Sequence, residues 1–418
     1  MTRGQGIVGG VIAVAAVVAI LVIGGVKGAQ PSVKGADGTV YVESNSSAPN
    51  SNEVLAFRYH DGSLMPRHVR RYPMHGSGSH DLSNSGVLDA DQELITNPQR
   101  TLLYAVNSSS DTIAAFHIHP DGTLSPVTGS PFPSNGKAPS SLGLAGNTLI
   151  VANKAQDGVR NLRTVPANYS SFHVNPDGSL GKPISSIDAP PRSSPLQTYI
   201  TPDRKVVISS EESGVFRAFR IGADGKLTQG PNSPLPLDPA VFPGGRRIPI
   251  NWPAGLVSHP TQKILYAQVA NISHTIVYRW DDDARLTFVR SMRNPKSFLP
   301  CWTEVNAAGT RMYSGNAGSD NLTVYDISGD PTNPRMMQSF ALNGPGNPWN
   351  FNLDPSERLI FMVDMRAVRQ VPGGLGNDLH VLKVARSGRL SEDERASPAK
   401  IPVPVGTNPL GLAIYPHS

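Results

Sequence analysis

A short pattern of apolar and polar positions occurs seven times along the chain. In residues 102–126, LLYAVNSSSDTIAAFHIHPDGTLSP, two apolar runs are separated by a Ser/Asn/Asp turn and followed by an Asp-Gly turn. Alternation of apolar and polar residues is typical of a half-buried β-strand, and Asp-Gly favours a tight hairpin turn. Each copy therefore predicts three strands. The corresponding first-strand positions are Tyr41, Tyr104, Ile150, Val207, Tyr266, Tyr313 and Phe361.

The spacing of the copies predicts the architecture. Successive first-strand positions lie 46 to 63 residues apart, which suits the blades of a propeller. Segments such as PLQTYITPDR and AGLVSHPTQK fall between the copies and supply a fourth strand. The last such segment, residues 408–416, has no copy after it, so pairing with the first copy would close a ring. The sequence predicts an all-β, seven-bladed β-propeller over residues 37–418, closed by pairing of the C-terminal strand with the N-terminal blade.

Residues 1–36 form a separate region. Residues 7–26 are 20 uncharged, largely apolar residues flanked by Arg3 and Lys27, and about 20 such residues cross one bilayer as a helix. We expect one hydrophobic helix that is either a signal peptide or a membrane anchor, followed by a linker. An uncleaved anchor is slightly favoured, because Lys27 lies just before the plausible cleavage position. Both readings place the rest of the chain outside the cell, in a periplasm or at the cell surface.

Composition and charge narrow the function classes. The chain has 40 Gly and 38 Pro, which favours turn-rich β structure over long helices. Its net charge of +5 is spread along the sequence, so no nucleic-acid partner is expected. No nucleotide cofactor is expected, since no Gly-rich loop joins a strand to a helix. The segment MHGSGSHD favours a solvated loop over a metal site, the single cysteine, Cys301, is expected to be a buried apolar residue, and the protein is expected to be a monomer.

The LYAVN strand, the DGTL turn and the joints GLVSHPTQKILY and FNLDPSERLIF resemble the seven-bladed lactonase family. That family includes 6-phosphogluconolactonases and fungal carboxymuconate cyclases, which open or close lactones of small anionic acids. The resemblance covers nearly all of residues 37–418 and implies the same propeller. Catalysis on such substrates needs cations for the anion and an acid or base near the ring ester. The resemblance places the family's charged catalytic residues on positions that hold here Ser194, Leu196, Ala254, Gly255, Ala270, Ala317 and Trp349.

Tryptophan distribution suggests a different site. Trp252, Trp302 and Trp349 come at similar positions in three successive blades, where the chain enters the inner strands. Stacking on aromatic rings with a few hydrogen bonds suits a flat ligand such as a sugar or an aromatic acid. The alternative is that these tryptophans plug the channel or pack between blades. The other predicted ligand-binding residues, which lie beside the tryptophans, are Arg246, Arg247, Asn251, Glu304 and Asn350.

Two further residues are candidates for catalysis. Glu211 follows a central strand and is the best surviving carboxylate for acid/base chemistry, although a solvated turn is the alternative. Arg192 precedes an inner strand and is suited to hold an anion. With these residues, a rebuilt lactonase or muconate-type lactonizing cyclase is one hypothesis. The favoured hypothesis is a diverged, exported propeller that binds a small molecule, glycan or protein at its channel face. A third is a surface scaffold that only displays its loops.

Overall fold

A computed structural model gives the fold of the chain. It describes residues 35–65, 67, 69–79, 92–242, 245, 252–365, 377–404 and 407–417, all of which belong to a unit that spans Pro31–Ser418. The predicted hydrophobic helix at residues 7–26 lies outside the described residues. Within the described ranges, no helix has the length and apolar character needed to cross a bilayer.

The described residues form seven antiparallel sheets, which are the blades. Blade 1 begins with β1 (Gly38–Glu43), β2 (Glu53–His60), β3 (Ser63–Leu64) and β4 (Arg70–Pro73); blade 2 contains β5 (Leu94–Thr96), β6 (Leu102–Asn107), β7 (Thr112–Ile118), β8 (Leu124–Pro126) and β9 (Phe132–Pro133). Blade 3 contains β10 (Pro139–Ala145), β11 (Thr148–Asn153), β12 (Ala167–Val174) and β13 (Leu180–Ala189); blade 4 contains β14 (Pro195–Ile200), β15 (Val206–Glu211), β16 (Val215–Ile221), β17 (Leu227–Gln229) and β18 (Leu235–Pro236).

The remaining blades follow the same order. Blade 5 contains β19 (Pro253–Ser258), β20 (Ile264–Val269), β21 (His274–Trp280) and β22 (Leu286–Arg293); blade 6 contains β23 (Pro300–Val305), β24 (Arg311–Asn316), β25 (Asn321–Asp326) and β26 (Arg335–Ala341). Blade 7 contains β27 (Asn347–Leu353), β28 (Leu359–Met365), β29 (Asp378–Val384), β30 (Leu390–Glu392) and β31 (Ala399–Lys400), and the chain ends with β32 (Leu410–Pro416). Single 3-10 turns lie at Ser108–Ser110, Pro239–Val241 and Ala270–Ile272.

The last strand completes the first blade. β32 pairs antiparallel with β1, and Tyr41 lies opposite Ala413. The innermost strands β32, β5, β10, β14, β19, β23 and β27 each contact the next around a closed ring. The predicted seven-bladed propeller, closed by its C-terminal strand, is confirmed. The segments between the sequence copies form the innermost strand of the blade that follows them.

Several innermost strands have a local irregularity near their start. In β10, β14, β19 and β23 the first residue is proline, and the register with the next strand shifts within the first residues after it. Proline fits a strand start beside a bulge because it has no N–H to donate to the ladder. A few residues later, glycine lets neighbouring innermost strands approach closely. A Cβ on Gly143 would lie 2.6 Å from the Thr198 carbonyl oxygen, and one on Gly255 would lie 2.3 Å from that of Cys301.

The apolar core lies between blades. Tyr41, Val54 and Leu103, from blades 1 and 2, belong to one buried cluster. The tyrosines that mark the sequence copies also link neighbouring blades, since the hydroxyl of Tyr41 donates to the Gly122 carbonyl and that of Tyr104 to the Gly178 carbonyl, both at 2.8 Å. In these two copies, the repeated tyrosine of one blade therefore forms a hydrogen bond with the Asp-Gly turn of the next blade.

Candidate functional site

A cavity of about 280 Å³ lies against four innermost strands. Trp302 and Glu304 enter it from β23 and Asn350 from β27, while β5 and β32 supply the apolar side, including Leu94 and Leu412. These strands belong to blades 6, 7, 2 and 1. Residues that are far apart in sequence therefore converge beside the propeller axis, and we call this space the axial cavity.

Glu304 is the acidic group among the residues that line the axial cavity. It lies on β23 opposite Tyr313 of β24, and its side chain is enclosed by protein although partly accessible from the cavity. Burial raises the pKa of Glu304 to about 8, and the nearby indole of Trp302 offsets part of that shift. A carboxyl with this pKa is mostly protonated at pH 7, so it can donate a hydrogen bond to a ligand.

Two buried donors face the same space. Trp302 is 6% exposed and Asn350 is 1% exposed. The Asn350 Oδ1 accepts a hydrogen bond from the Gly411 amide at 2.8 Å, which fixes the orientation of the side chain. The Nδ2 of Asn350 makes no hydrogen bond to any of the described residues, whereas the Trp302 indole N–H interacts with the Glu304 carboxyl and favours its charged form. Leaving a buried donor unpaired costs roughly 1–3 kcal/mol, so the Asn350 amide is a ready partner for a ligand acceptor or for water.

The other two tryptophans have a different environment. Trp252 and Trp349 pack against a small cluster of Ala270, Cys301 and Ala317. The structure therefore brings Trp302, Glu304 and Asn350 together in the axial cavity, whereas Trp252 and Trp349 are not among its lining residues. The positions of the three tryptophans relative to the strand-starting proline also differ, since Trp252 precedes Pro253 and Trp302 follows Pro300 by two residues.

Glu211 occupies a closed environment. It is fully buried and forms an ion pair with Arg217 of β16. It also accepts hydrogen bonds from the Tyr169 hydroxyl at 3.0 Å and from Ser213 Oγ at 3.1 Å. Glu211 is therefore held in a network that joins blades 3 and 4 and does not line the axial cavity.

Arg192 lies elsewhere. It is exposed and lines a second, larger cavity together with Glu212. The structure does not bring Arg192 and Glu211 to the axial cavity, and a catalytic role for this pair stays a prediction. The predicted ligand-binding residues Arg246, Arg247 and Asn251 lie outside the described residues, as do His80 and Asp81.

Gln92 and Arg100 are among the axial-cavity residues that the sequence analysis did not identify. Gln92 and Arg100 flank β5 at its two ends and line the cavity. The Gln92 side-chain oxygen accepts a hydrogen bond from Gln197 Nε2 at 3.0 Å, so it also links blades. The segment ELITNPQR resembles the joints between the other copies. Comparing this first joint with the later ones would have indicated that Arg100 follows an innermost strand.

One group of potential metal ligands occurs among the described residues. His60 Nδ1 lies 3.0 Å from Asp37 Oδ2, and His60 Nε2 lies 3.8 Å from Asp61 Oδ2. His60 is exposed, and the contacts are those of an ordinary hydrogen-bonded surface network. The group does not adjoin the axial cavity.

Known structures share this fold. A Bacteroides fragilis protein provisionally assigned as a 6-phosphogluconolactonase matches with a TM-score of 0.65 and 17% identity over 92% of this chain and 99% of its own. A Bacteroides uniformis protein with the same provisional assignment matches with a TM-score of 0.64 and 14% identity over 91% of this chain and 100% of its own.

The periplasmic gluconolactonase of Pseudomonas aeruginosa matches with a TM-score of 0.62 and 15% identity over 91% and 99%. No protein-family model matches the sequence, and no curated protein matches it significantly. At these identities the likeness is one of fold. The chain thus has the seven-bladed propeller fold of 6-phosphogluconolactonase-like proteins.

Proposed function

We propose that this protein is an exported propeller that binds a small, neutral, oxygen-rich molecule, such as a sugar or sugar lactone, in the axial cavity. One observation carries the proposal: the Trp302 indole N–H, the Asn350 amide N–H and the protonated Glu304 carboxyl all face one cavity, and the Asn350 amide has no partner among the described residues. All three groups donate hydrogen bonds, so the matching ligand presents hydroxyl or carbonyl oxygens.

The size of the cavity supports a small ligand. Its volume of about 280 Å³ lies just below the range for small-molecule sites, roughly 300–1,000 Å³. A monosaccharide is more compatible with this volume than an oligosaccharide. The adjoining apolar side chains of Leu94 and Leu412 suit the C–H faces of a sugar ring.

The test is calorimetric titration of the full-length protein with monosaccharides and their lactones. We expect binding that weakens at least tenfold in Asn350→Asp, which keeps the oxygen that accepts from Gly411 but loses the amide donor. Glu304→Gln still donates and is expected to bind within a few-fold of the wild type. Asn147→Ala, at an exposed position, is the matched control and should bind normally. Binding that is unaffected by Asn350→Asp would contradict the proposal.

A second candidate function is lactone hydrolysis in the same cavity. It is favoured by the pKa of Glu304 of about 8, which suits an acid or base near neutral pH, and by the presence of Arg100 in the cavity wall. If Glu304 acts as a base, the hydrolysis rate should rise as pH increases through about 8, and Glu304→Gln should abolish it. Arg192→Ala tests the alternative site predicted from the sequence. Rates equal to the uncatalysed reaction would exclude this candidate.

Export and membrane anchoring form a separate part of the proposal. They rest on the 20-residue apolar run at residues 7–26. Cell fractionation with the full-length chain tests them: we expect the protein outside the cytoplasm, and in the membrane fraction if the segment is retained. Recovery of the intact chain from the cytoplasm alone would contradict this part and would leave the ligand proposal standing.

A further inference from the structure

A second cavity, of about 680 Å³, lies among the connections of blades 3 and 4. Its main wall is the 154–166 connection between β11 and β12, and Arg192 and Glu212 close the other side. It shares no lining residue with the axial cavity. Long connections without regular structure in compact domains are often functional.

The wall is held in place by a saturated ion-pair network. Arg160 contacts Asp157 Oδ2 and Asp111 Oδ1, each at 2.8 Å, and donates to the Ser108 carbonyl at 3.0 Å. Asp157 also accepts from Ser109 Oγ at 2.9 Å. These contacts tie the connection in blade 3 to the turn in blade 2. The Arg160 guanidinium therefore has a structural role in these contacts and is not a candidate for binding a ligand.

Two other guanidinium groups line the cavity without such partners. Arg163 and Arg192 are both exposed and form no ion pair within the part of the chain that the structure describes. The guanidinium group presents a planar set of donors that matches the oxygens of carboxylate and phosphate. Val159, which is 74% exposed, lines the same cavity and adds an apolar edge.

We propose that this cavity binds a small organic anion, with Arg163 and Arg192 contacting its carboxylate or phosphate oxygens and Val159 contacting its apolar body. The volume of about 680 Å³ falls within the usual range of small-molecule sites, roughly 300–1,000 Å³. Glu212 is the acidic group in the cavity wall that is not part of the Arg160 network, and its charge opposes anion binding. The site is independent of the ligand proposed for the axial cavity.

The experiment is calorimetric titration of the full-length protein with benzoate, with phenyl phosphate and with benzamide, the neutral analogue of benzoate. We expect the anions to bind, benzamide to bind at least tenfold more weakly, and affinity to fall as sodium chloride is raised. The stronger of the two anions identifies whether carboxylate or phosphate is preferred.

Variants locate the binding. Arg163→Ala and Arg192→Ala should each weaken anion binding at least tenfold, whereas Glu212→Gln should strengthen it two- to threefold. Arg395→Ala, an exposed arginine outside the cavity, is the control and should have no effect. Equal binding of benzamide and benzoate, no binding of either anion at millimolar concentration, or full affinity in both Arg163→Ala and Arg192→Ala would overturn the proposal.

Discussion

Glu211 and Arg217 form an ion pair from which water is excluded. Both side chains are almost fully buried, at 1% and 8% exposed, and Tyr169 and Ser213 donate to the carboxylate. A charge this deeply buried has lost its hydration, and only an oppositely charged partner compensates for that loss. A glutamate that looks available in the sequence is therefore enclosed and paired in the structure.

Removing Arg217 should leave an unpaired buried charge. We expect Arg217→Ala to lower the free energy of unfolding by about 3–5 kcal/mol, measured by denaturant titration. Arg220→Ala on the same strand is the matched control: its ion pair with Asp283 is 3.7 Å long and exposed on both sides, so the loss should be less than about 1 kcal/mol. Equal losses in the two variants would contradict a structural role for Glu211.

Neighbouring innermost strands pack closely against each other at Gly255. Gly255 has a positive φ of 59°, and a Cβ there would lie 2.3 Å from the Cys301 carbonyl oxygen. Gly146 has nearly the same φ, 62°, but nothing lies within 4 Å of its Cβ position. Comparing Gly255 with Gly146 therefore distinguishes backbone strain from steric contact between β19 and β23.

We therefore expect Gly255→Ala to destabilise the protein more than Gly146→Ala. The left-handed conformation costs a non-glycine residue roughly 1–2 kcal/mol, and that cost applies to both variants. Only Gly255→Ala must also move two innermost strands apart, so its additional loss measures the contact between blades 5 and 6. Denaturant unfolding gives both values. A difference within error would mean that the ring accommodates the extra methyl group without cost.

Stability of the whole propeller should depend on pH in an unusual direction. Burial raises the pKa of Glu43 and of Glu304 to about 8, and burial with the charge of Asp364 raises that of Asp320 to about 7. Burial alone would lower the pKa of His380, but its hydrogen bonds to Asp364 and Glu392 outweigh this and raise it to about 9. All four groups hold their protons more tightly in the folded state.

A folded state that binds more protons than the unfolded state loses stability as pH rises. For each carboxyl, the free energy of unfolding falls as pH rises from the ordinary pKa of the group to its raised pKa. The contribution of His380 is lost between about pH 6.5 and 9. We expect the free energy of unfolding to be lower at pH 9 than at pH 5. Glu304→Gln should flatten the dependence between about 4.5 and 8. A protein that is more stable at pH 9 would contradict these shifts.

Much of the architecture can be predicted from the sequence because each blade is specified locally. The Tyr41 and Tyr104 positions, the Asp-Gly turns and the unpartnered C-terminal segment indicate the blades and their closure. The axial cavity is harder to predict, because it combines side chains from four blades. Gln92 and Arg100 acquire their role only when β5 lies beside β32, which in turn contacts β27. The burial of Glu211 depends on Tyr169 of the neighbouring blade.

A crystal structure of the protein soaked with a sugar lactone such as gluconolactone would show whether the axial cavity binds such a ligand. The prediction is a ligand in the axial cavity, with its oxygens at hydrogen-bonding distance, roughly 2.7–3.2 Å, from Asn350 Nδ2 and Trp302 Nε1. Ligand density only at other sites, or an axial cavity filled by rearranged side chains, would contradict it.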